Sequence, residues 1–259
     1  LGSFHNVRRS SILNRKHQYF RGVLWWRSSQ NQGLLIEKNF IHLLMIYDQD
    51  VALQTAQHLL QIKAIKLSPK NPFTWASGWK SPIYCDNRVS LSYPEVRTYL
   101  CQQMAQQIAA LYGNNIQIAG VATGAIGIGM LVAQQLGVPF VYVRPEPKKH
   151  GRQNQIEGHL HPDKKTVVVE DLISTGKSSL NAVAALRKAD AQVMGMIALF
   201  TYGFSRASEA FEAHQLPLHT LSDYTTLIAA AEANKSIDAT TSAHLTTWRN
   251  DPAAWEAGS

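Results

Sequence analysis

The sequence predicts an α/β fold with a central, mostly parallel β-sheet flanked by helices. Two observations carry this. Short apolar runs at 116–121, 139–143, 166–171 and 193–200 alternate with Ala- and Leu-rich stretches of helical period. The runs are predominantly apolar, as in strands covered on both faces, and such alternation implies parallel strands joined by right-handed crossovers.

Taken in order, residues 1–44 stand apart. They carry seven basic side chains and one acid, include Trp25 and Trp26, and show no sustained period. They are expected to be a disordered or non-native leader, either read through upstream of Met45 or a transit peptide, and are set aside from the fold. The domain is expected over 45–259. From Asp48, the apolar positions Val51, Leu53, Ala56, Leu59 and Leu60 predict a helix reaching Ile65. Residues 71–88 are punctuated by Pro, Gly and Ser, too polar for a core helix. A helix from Pro94 to Tyr112 stops at Gly113. The strand 116–121 passes through a Gly-rich turn into a helix reaching Gln135, with Gly137 as its cap. The strand 139–143 opens a charged loop, 144–162. A strand over 166–171 leads into a helix at 178–189, and 193–200 is a further strand. Helices are expected at 205–214, 223–234 and 239–249, with a last strand at 216–221.

The chain of 259 residues has a formal charge of +7, but the part after residue 44 carries only +1. A nearly neutral domain gives no electrostatic reason to expect a nucleic-acid partner. Cys85 and Cys101 lack zinc-ligand spacing and suit a reducing cytosol, so a cytoplasmic location is expected. The longest apolar stretch, 118–133, is interrupted by Thr123 and four glycines, and no membrane span is expected.

Chemistry concentrates at 166–178. Val167, Val168 and Val169 lead into adjacent carboxylates, Glu170 and Asp171, followed by a polar loop and a helix start. The carboxyl edge of an open α/β sheet is where ligands bind. N–H groups at a helix N-terminus favour a phosphate, whereas two carboxylates favour hydroxyl donors. A phosphorylated sugar satisfies both. Gly176-Lys177-Ser178 resembles the tail of a nucleotide P-loop, but that motif needs glycine where Asp171 stands.

Two further loops fit the same site. Residues 122–127, Ala-Thr-Gly-Ala-Ile-Gly, open a helix after a strand and suit a second phosphate; they lack the Gly-x-Gly-x-x-Gly order of a dinucleotide site. The loop 144–158 presents Arg144, Lys148, Lys149, His150 and Arg152 between a strand end and Gly158. Cations there would stabilise a departing diphosphate, and a long loop would exclude water.

The segment 166–178 resembles the phosphoribosyl pyrophosphate (PRPP) motif of type I phosphoribosyltransferases. Residues 71–88, Asn-Pro-Phe-Thr-Trp-Ala-Ser-Gly-Trp-Lys-Ser-Pro-Ile-Tyr-Cys-Asp-Asn-Arg, together with 91–97 and the Arg144–Lys148–His150 pattern, are similar to orotate phosphoribosyltransferases of the Bacillus-like bacterial type. The likeness spans about 50–250. It implies a type I phosphoribosyltransferase fold with a small N-terminal hood, about 45–92, a core over about 93–259, and a flexible lid loop. It implies transfer of the phosphoribosyl group to orotate, giving orotidine 5′-phosphate and pyrophosphate in pyrimidine biosynthesis. Glu170 and Asp171 would hold the ribose, and Leu172 and Ile173 would belong to the same PRPP-binding segment. Ser174, Thr175, Gly176, Lys177 and Ser178 would wrap the 5-phosphate. Arg144, Lys148, Lys149 and His150 would meet the donor, with Lys148, His150 and Asp171 catalytic. Ser174, Lys80 and Tyr84 would meet orotate. Some relatives carry lysine where this chain has Ala76, and Lys80 would replace it. Mg²⁺ would be carried by the diphosphate and not by a side-chain cage. A homodimer sharing lid residues across its interface is also implied. The alternatives are transfer to another base, or a non-enzymatic regulator with this fold.

Overall fold

The computed structural model describes Ile46, residues 48–75, 78–147 and 155–255. The expectations for residues 1–44, and for Ala76, Lys148, Lys149, His150 and Arg152, lie outside the described residues.

The first helix, α1 (Gln49–Gln61), is capped by Asp48, whose Oδ1 accepts from the N–H groups of Asp50 and Val51 at 2.9 and 3.1 Å. It ends four residues earlier than its apolar spacing predicts. Lys63 turns the chain with φ 59°, and the apolar period passes into strand β1 (Ile65–Leu67). The punctuated segment folds into β2 (Phe73–Thr74), β3 (Lys80–Ser81) and β4 (Ile83–Cys85), where β2 pairs β3 and β1 pairs β4, both antiparallel. A 3₁₀ turn, Asn87–Ser92, leads into α2 (Pro94–Tyr112), which has Pro at its first position and Gly113 at its end, as expected.

The core follows as β5 (Ile116–Val121), α3 (Ala125–Leu136), β6 (Phe140–Val143), β7 (Ile156–Glu157), β8 (Lys165–Ile173) and α4 (Lys177–Lys188). Then come β9 (Val193–Thr201), α5 (Ser205–Ala213), β10 (Leu218–Asp223), α6 (Tyr224–Ala233) and α7 (Ala239–Asn250). The six-stranded sheet has the order β10-β9-β8-β5-β6-β7, parallel except for β7.

Alternation along β8 divides the core. Val167 and Val169 join a cluster containing Leu59, Ile83, Leu100 and Trp248, so α1, α2, the hood strands and α7 share one face. Val168 and Ile173 join Leu180, Leu186 and Phe211 on the face covered by α4 and α5. The order reverses between β5 and β8, since one connection leads outward to β6 and the other to β9. That reversal is the switch point where such sheets bind ligands.

Strand β8 runs past the two acids, where the sequence suggested it would stop. Its partner β9 continues, pairing Leu172 with Phe200 and Ile173 with Thr201. Pairing with β5 on the other side is complete at Val169. Glu170 and Asp171 therefore stand beyond the last pair with β5, on a strand still held by β9.

Candidate active site

A cleft of about 680 Å³ opens at the switch point, between the loop after β5, the end of β8 and the start of α4. Asp171 is half-buried and lines it, while Glu170 is 4 % exposed. The Glu170 carboxylate accepts from Ser179 Oγ at 2.8 Å and from the Asp171 N–H at 3.0 Å. Burial, and then the neighbouring Asp171 charge, hold the Glu170 carboxyl well above the usual carboxylate range. Both acids line the cleft, but they differ: Asp171 is half-buried, whereas Glu170 is almost fully buried and tied to α4 through Ser179.

Ser174, Thr175, Gly176, Lys177 and Ser178 all line the cleft, as does Leu172, while Ile173 is buried in the core. Gly176 has φ +79°, and a Cβ there would lie 2.8 Å from the Phe211 ring. Both demands select glycine. Helix α4 begins at Lys177, and its first-turn N–H groups have no intrahelical acceptors. That turn is a ready anion site.

Across from it, Thr123 and Gly124 line the cleft, and the Ala122–Thr123 peptide is cis. Gly124 has ordinary helical φ, so conformation does not require glycine there. Close approach does: a Cβ on Gly124 would lie 2.3 Å from the Asp171 carboxyl. The two loops named from the sequence are therefore in contact.

The hood completes the wall through Cys85, Asp86 and Arg88. Asn87, 1 % exposed, donates from Nδ2 to the Asp171 carbonyl at 2.5 Å, and its Oδ1 accepts from Cys85 Sγ at 3.2 Å. Burial, with Asp171 and Asp86 adding, pushes the Cys85 thiol up, in keeping with its Sγ donating to Asn87. Arg88 grips Asp86 with both arms of its fork, Nε to Oδ1 at 2.6 Å and Nη2 to Oδ2 at 2.8 Å. This holds the Asp86 carboxyl below its usual range.

Arg144 follows β6 at the base of the charged loop. Its Nη1 lies 3.4 Å from Glu157 Oε1, and its main chain pairs with Gln155. Gly158, with φ +102°, packs on Val141, so β7 ties the far end of the loop to the sheet edge. Lys80 and Tyr84 are exposed hood residues outside the cleft lining. Lys80 Nζ donates to Thr74 Oγ1 at 2.8 Å, and the Tyr84 ring packs 5.5 Å from Phe73. Of the three residues expected at orotate, Ser174 is the one that lines the cleft. Sequence reasoning did not single out Ser179, Asn87 or Arg88. Ser179 lies one residue beyond the motif, and Asn87 and Arg88 close the 71–88 segment that carries the resemblance, in which Lys80 and Tyr84 are the residues expected at the base.

Among the described residues, no group of three or more His, Cys, Asp or Glu side chains stands ready to cage a metal, and no helix is long and apolar enough to cross a membrane.

Comparison with known proteins agrees with this geometry. Residues 96–217 match the phosphoribosyl transferase domain. Orotate phosphoribosyltransferase of Bacteroides thetaiotaomicron is 55 % identical over 203 residues, covering 78 % of this chain and 96 % of the relative. That of Bacillus pumilus is 50 % identical over 199 residues, covering 77 % and 94 %. The crystal structure of orotate phosphoribosyltransferase from Aeropyrum pernix superposes with a TM-score of 0.60 at 26 % identity, covering 71 % of this chain and 99 % of that one. With half or more of the aligned residues identical to relatives that it spans almost end to end, the chain belongs to the orotate phosphoribosyltransferase family, enzymes of the type I phosphoribosyltransferase fold.

Proposed function

We propose that this chain joins PRPP to orotate in the switch-point cleft, making orotidine 5′-phosphate and pyrophosphate for pyrimidine synthesis. The observation that carries the reading is a single juxtaposition: the half-buried Asp171 carboxylate and the N-terminal turn of α4 open into one cleft. Asp171 accepts from the ribose hydroxyls, with Glu170 behind it; residues 174–178 surround the 5-phosphate. The diphosphate lies toward Thr123 and Gly124, where Arg144, Lys148, Lys149 and His150 reach it from the lid. Ser174, at the start of the loop, also faces the base, against the hood strand that carries Tyr84. Lys80 adds positive charge at the hood's outer face.

A ring nitrogen of orotate attacks the anomeric carbon as its bond to the diphosphate breaks. Negative charge grows on the leaving group and positive charge on the ribose. Lys148 and His150 neutralise the first, and Asp171 holds the second in place. The chain's work is positioning, charge compensation and exclusion of water, without a covalent intermediate.

The donor set suits Mg²⁺ carried by the substrate. Mg²⁺ keeps several waters and takes one or two carboxylates with phosphate oxygens, and Asp171 is a half-buried carboxylate of that kind. Bound there, the ion would offset charge on the diphosphate oxygens. A homodimer is part of the same reading. Its support is the surface of α2 and α3, where Met130 is 45 % exposed and a hollow of about 280 Å³ is lined by Arg97, Thr98, Cys101, Leu131, Gln134 and Gln135. The reading places the enzyme in the cytoplasm. Mixing PRPP and Mg²⁺ with orotate, uracil or adenine tests the acceptor: pyrophosphate release with orotate alone supports the reading, and release with another base instead overturns it.

A further inference from the structure

We propose that Arg88 is the cation that receives the carboxylate of orotate, exchanging Asp86 for the substrate. The proposal rests on the orotate reading above and adds the residue that reads the group distinguishing orotate from plain uracil.

Two cations line the cleft among the described residues, Arg88 and Lys177. Lys177 opens α4 within the phosphate loop, so its place is at the 5-phosphate end. Arg88 stands on the opposite, hood wall, two residues from Asp86 and beside the buried Asn87 that ties this wall to Asp171. Lys80, the other hood cation expected to meet orotate, is outside the lining and occupied by Thr74. The acceptor's carboxylate thus has one described lining cation on the hood side.

The chemistry of Arg88 matches. Its planar fork is already set against a carboxylate, both oxygens of Asp86 being held at 2.6 and 2.8 Å. Orotate presents the same planar group, and bidentate pairing favours Arg over Lys for it. The existing pair is easily given up: the Arg88 side chain is 55 % exposed, and ion pairs so open to water contribute little. With orotate displacing water from the cleft, the same fork on a substrate carboxylate gains strength. Asp86 then acts as a placeholder that keeps the fork extended and the empty cleft less positive.

Steady-state kinetics of three variants test this. Arg88→Ala is expected to raise the KM for orotate about tenfold or more, the loss of a charge-assisted pair, while the KM for PRPP stays within about twofold of wild type. Arg88→Lys should recover part of that loss. Asp86→Asn, which removes the competitor, should lower the KM for orotate. Arg88 is exposed, and unchanged thermal melts would show that each variant folds. A rise in the KM for PRPP with that for orotate unchanged would overturn the proposal and give Arg88 to the diphosphate; no change in either would leave it a surface partner of Asp86. Wild-type protein without orotate-dependent pyrophosphate release would overturn the orotate reading itself, and this proposal with it.

Discussion

Asp171 is placed by its neighbours more than by its own bonds. Its carbonyl is held by Asn87, its N–H by Glu170, and its carboxyl packs where Gly124 has no side chain. Gly124→Ala should therefore abolish most activity while changing the melting temperature modestly, because the methyl displaces the Asp171 carboxylate and not the core. Kinetics with parallel melts would check it; full activity would show that Asp171 has room to spare. Asn87→Ala leaves a carbonyl unpaired in a buried position, at a cost of about 1–3 kcal/mol, to be read by denaturant unfolding together with a raised KM for PRPP. Glu170 makes a pH prediction. Its folded pKa is raised, so the unfolded chain ionises first as pH climbs through the ordinary carboxylate range. Stability is lost over that interval, and the penalty stays in full above the folded pKa. Glu170→Gln removes it. The amide accepts from the Asp171 N–H, and the Ser179 hydroxyl turns to accept from the new NH₂. Ligand-free Glu170→Gln should melt above wild type near neutral pH, with the difference shrinking below about pH 4. A lower melting temperature at pH 7 would contradict the burial argument.

At the scale of elements, the chain discloses what local chemistry decides. Pro94 and Gly113 bracket α2, and Gly137 ends α3 in a left-handed turn, because these residues act through their own backbones. Partners distant in sequence decide the rest. The apolar period of α1 runs on through Ile62 and Ile65, yet Ile65 is claimed by Cys85, twenty residues away, in a hood strand pair. Strand β8 continues through two acids because β9 continues beside it, which no reading of 166–171 alone reveals. The hood is bolted to the C-terminal helix by Trp248, buried among Trp75, Tyr202, Phe204 and Tyr224, with its Nε1 donating to the Lys80 carbonyl at 3.1 Å. Trp248→Ala should cost about 3–5 kcal/mol by cavity formation, and Trp248→Phe less. Chemical denaturation gives both values, and equal losses would show that the hydrogen bond dominates over packing.

For the whole molecule, the sheet reversal between β5 and β8 brings three segments, separated by up to ninety residues, to one cleft. That these segments share one site was legible; which hood residues line it was not, since Cys85, Asp86 and Arg88 stand there and Lys80 and Tyr84 do not. The hood wall depends on Asn87 finding a carbonyl 84 positions away, and nothing in the polar triplet Asp86-Asn87-Arg88 announces that. The central claim is that this cleft is where a phosphoribosyl donor is held for orotate, with Asp171 as its presented carboxylate. The most direct measurement is orotate-dependent pyrophosphate release from PRPP with Mg²⁺, compared between wild type and Asp171→Asn at matched melting temperatures. The account predicts release by the wild type, and at least about tenfold lower kcat/KM for PRPP in the variant, equivalent to about 1.4 kcal/mol of lost transition-state stabilisation. Wild-type kinetics in Asp171→Asn, with the fold intact, would contradict it.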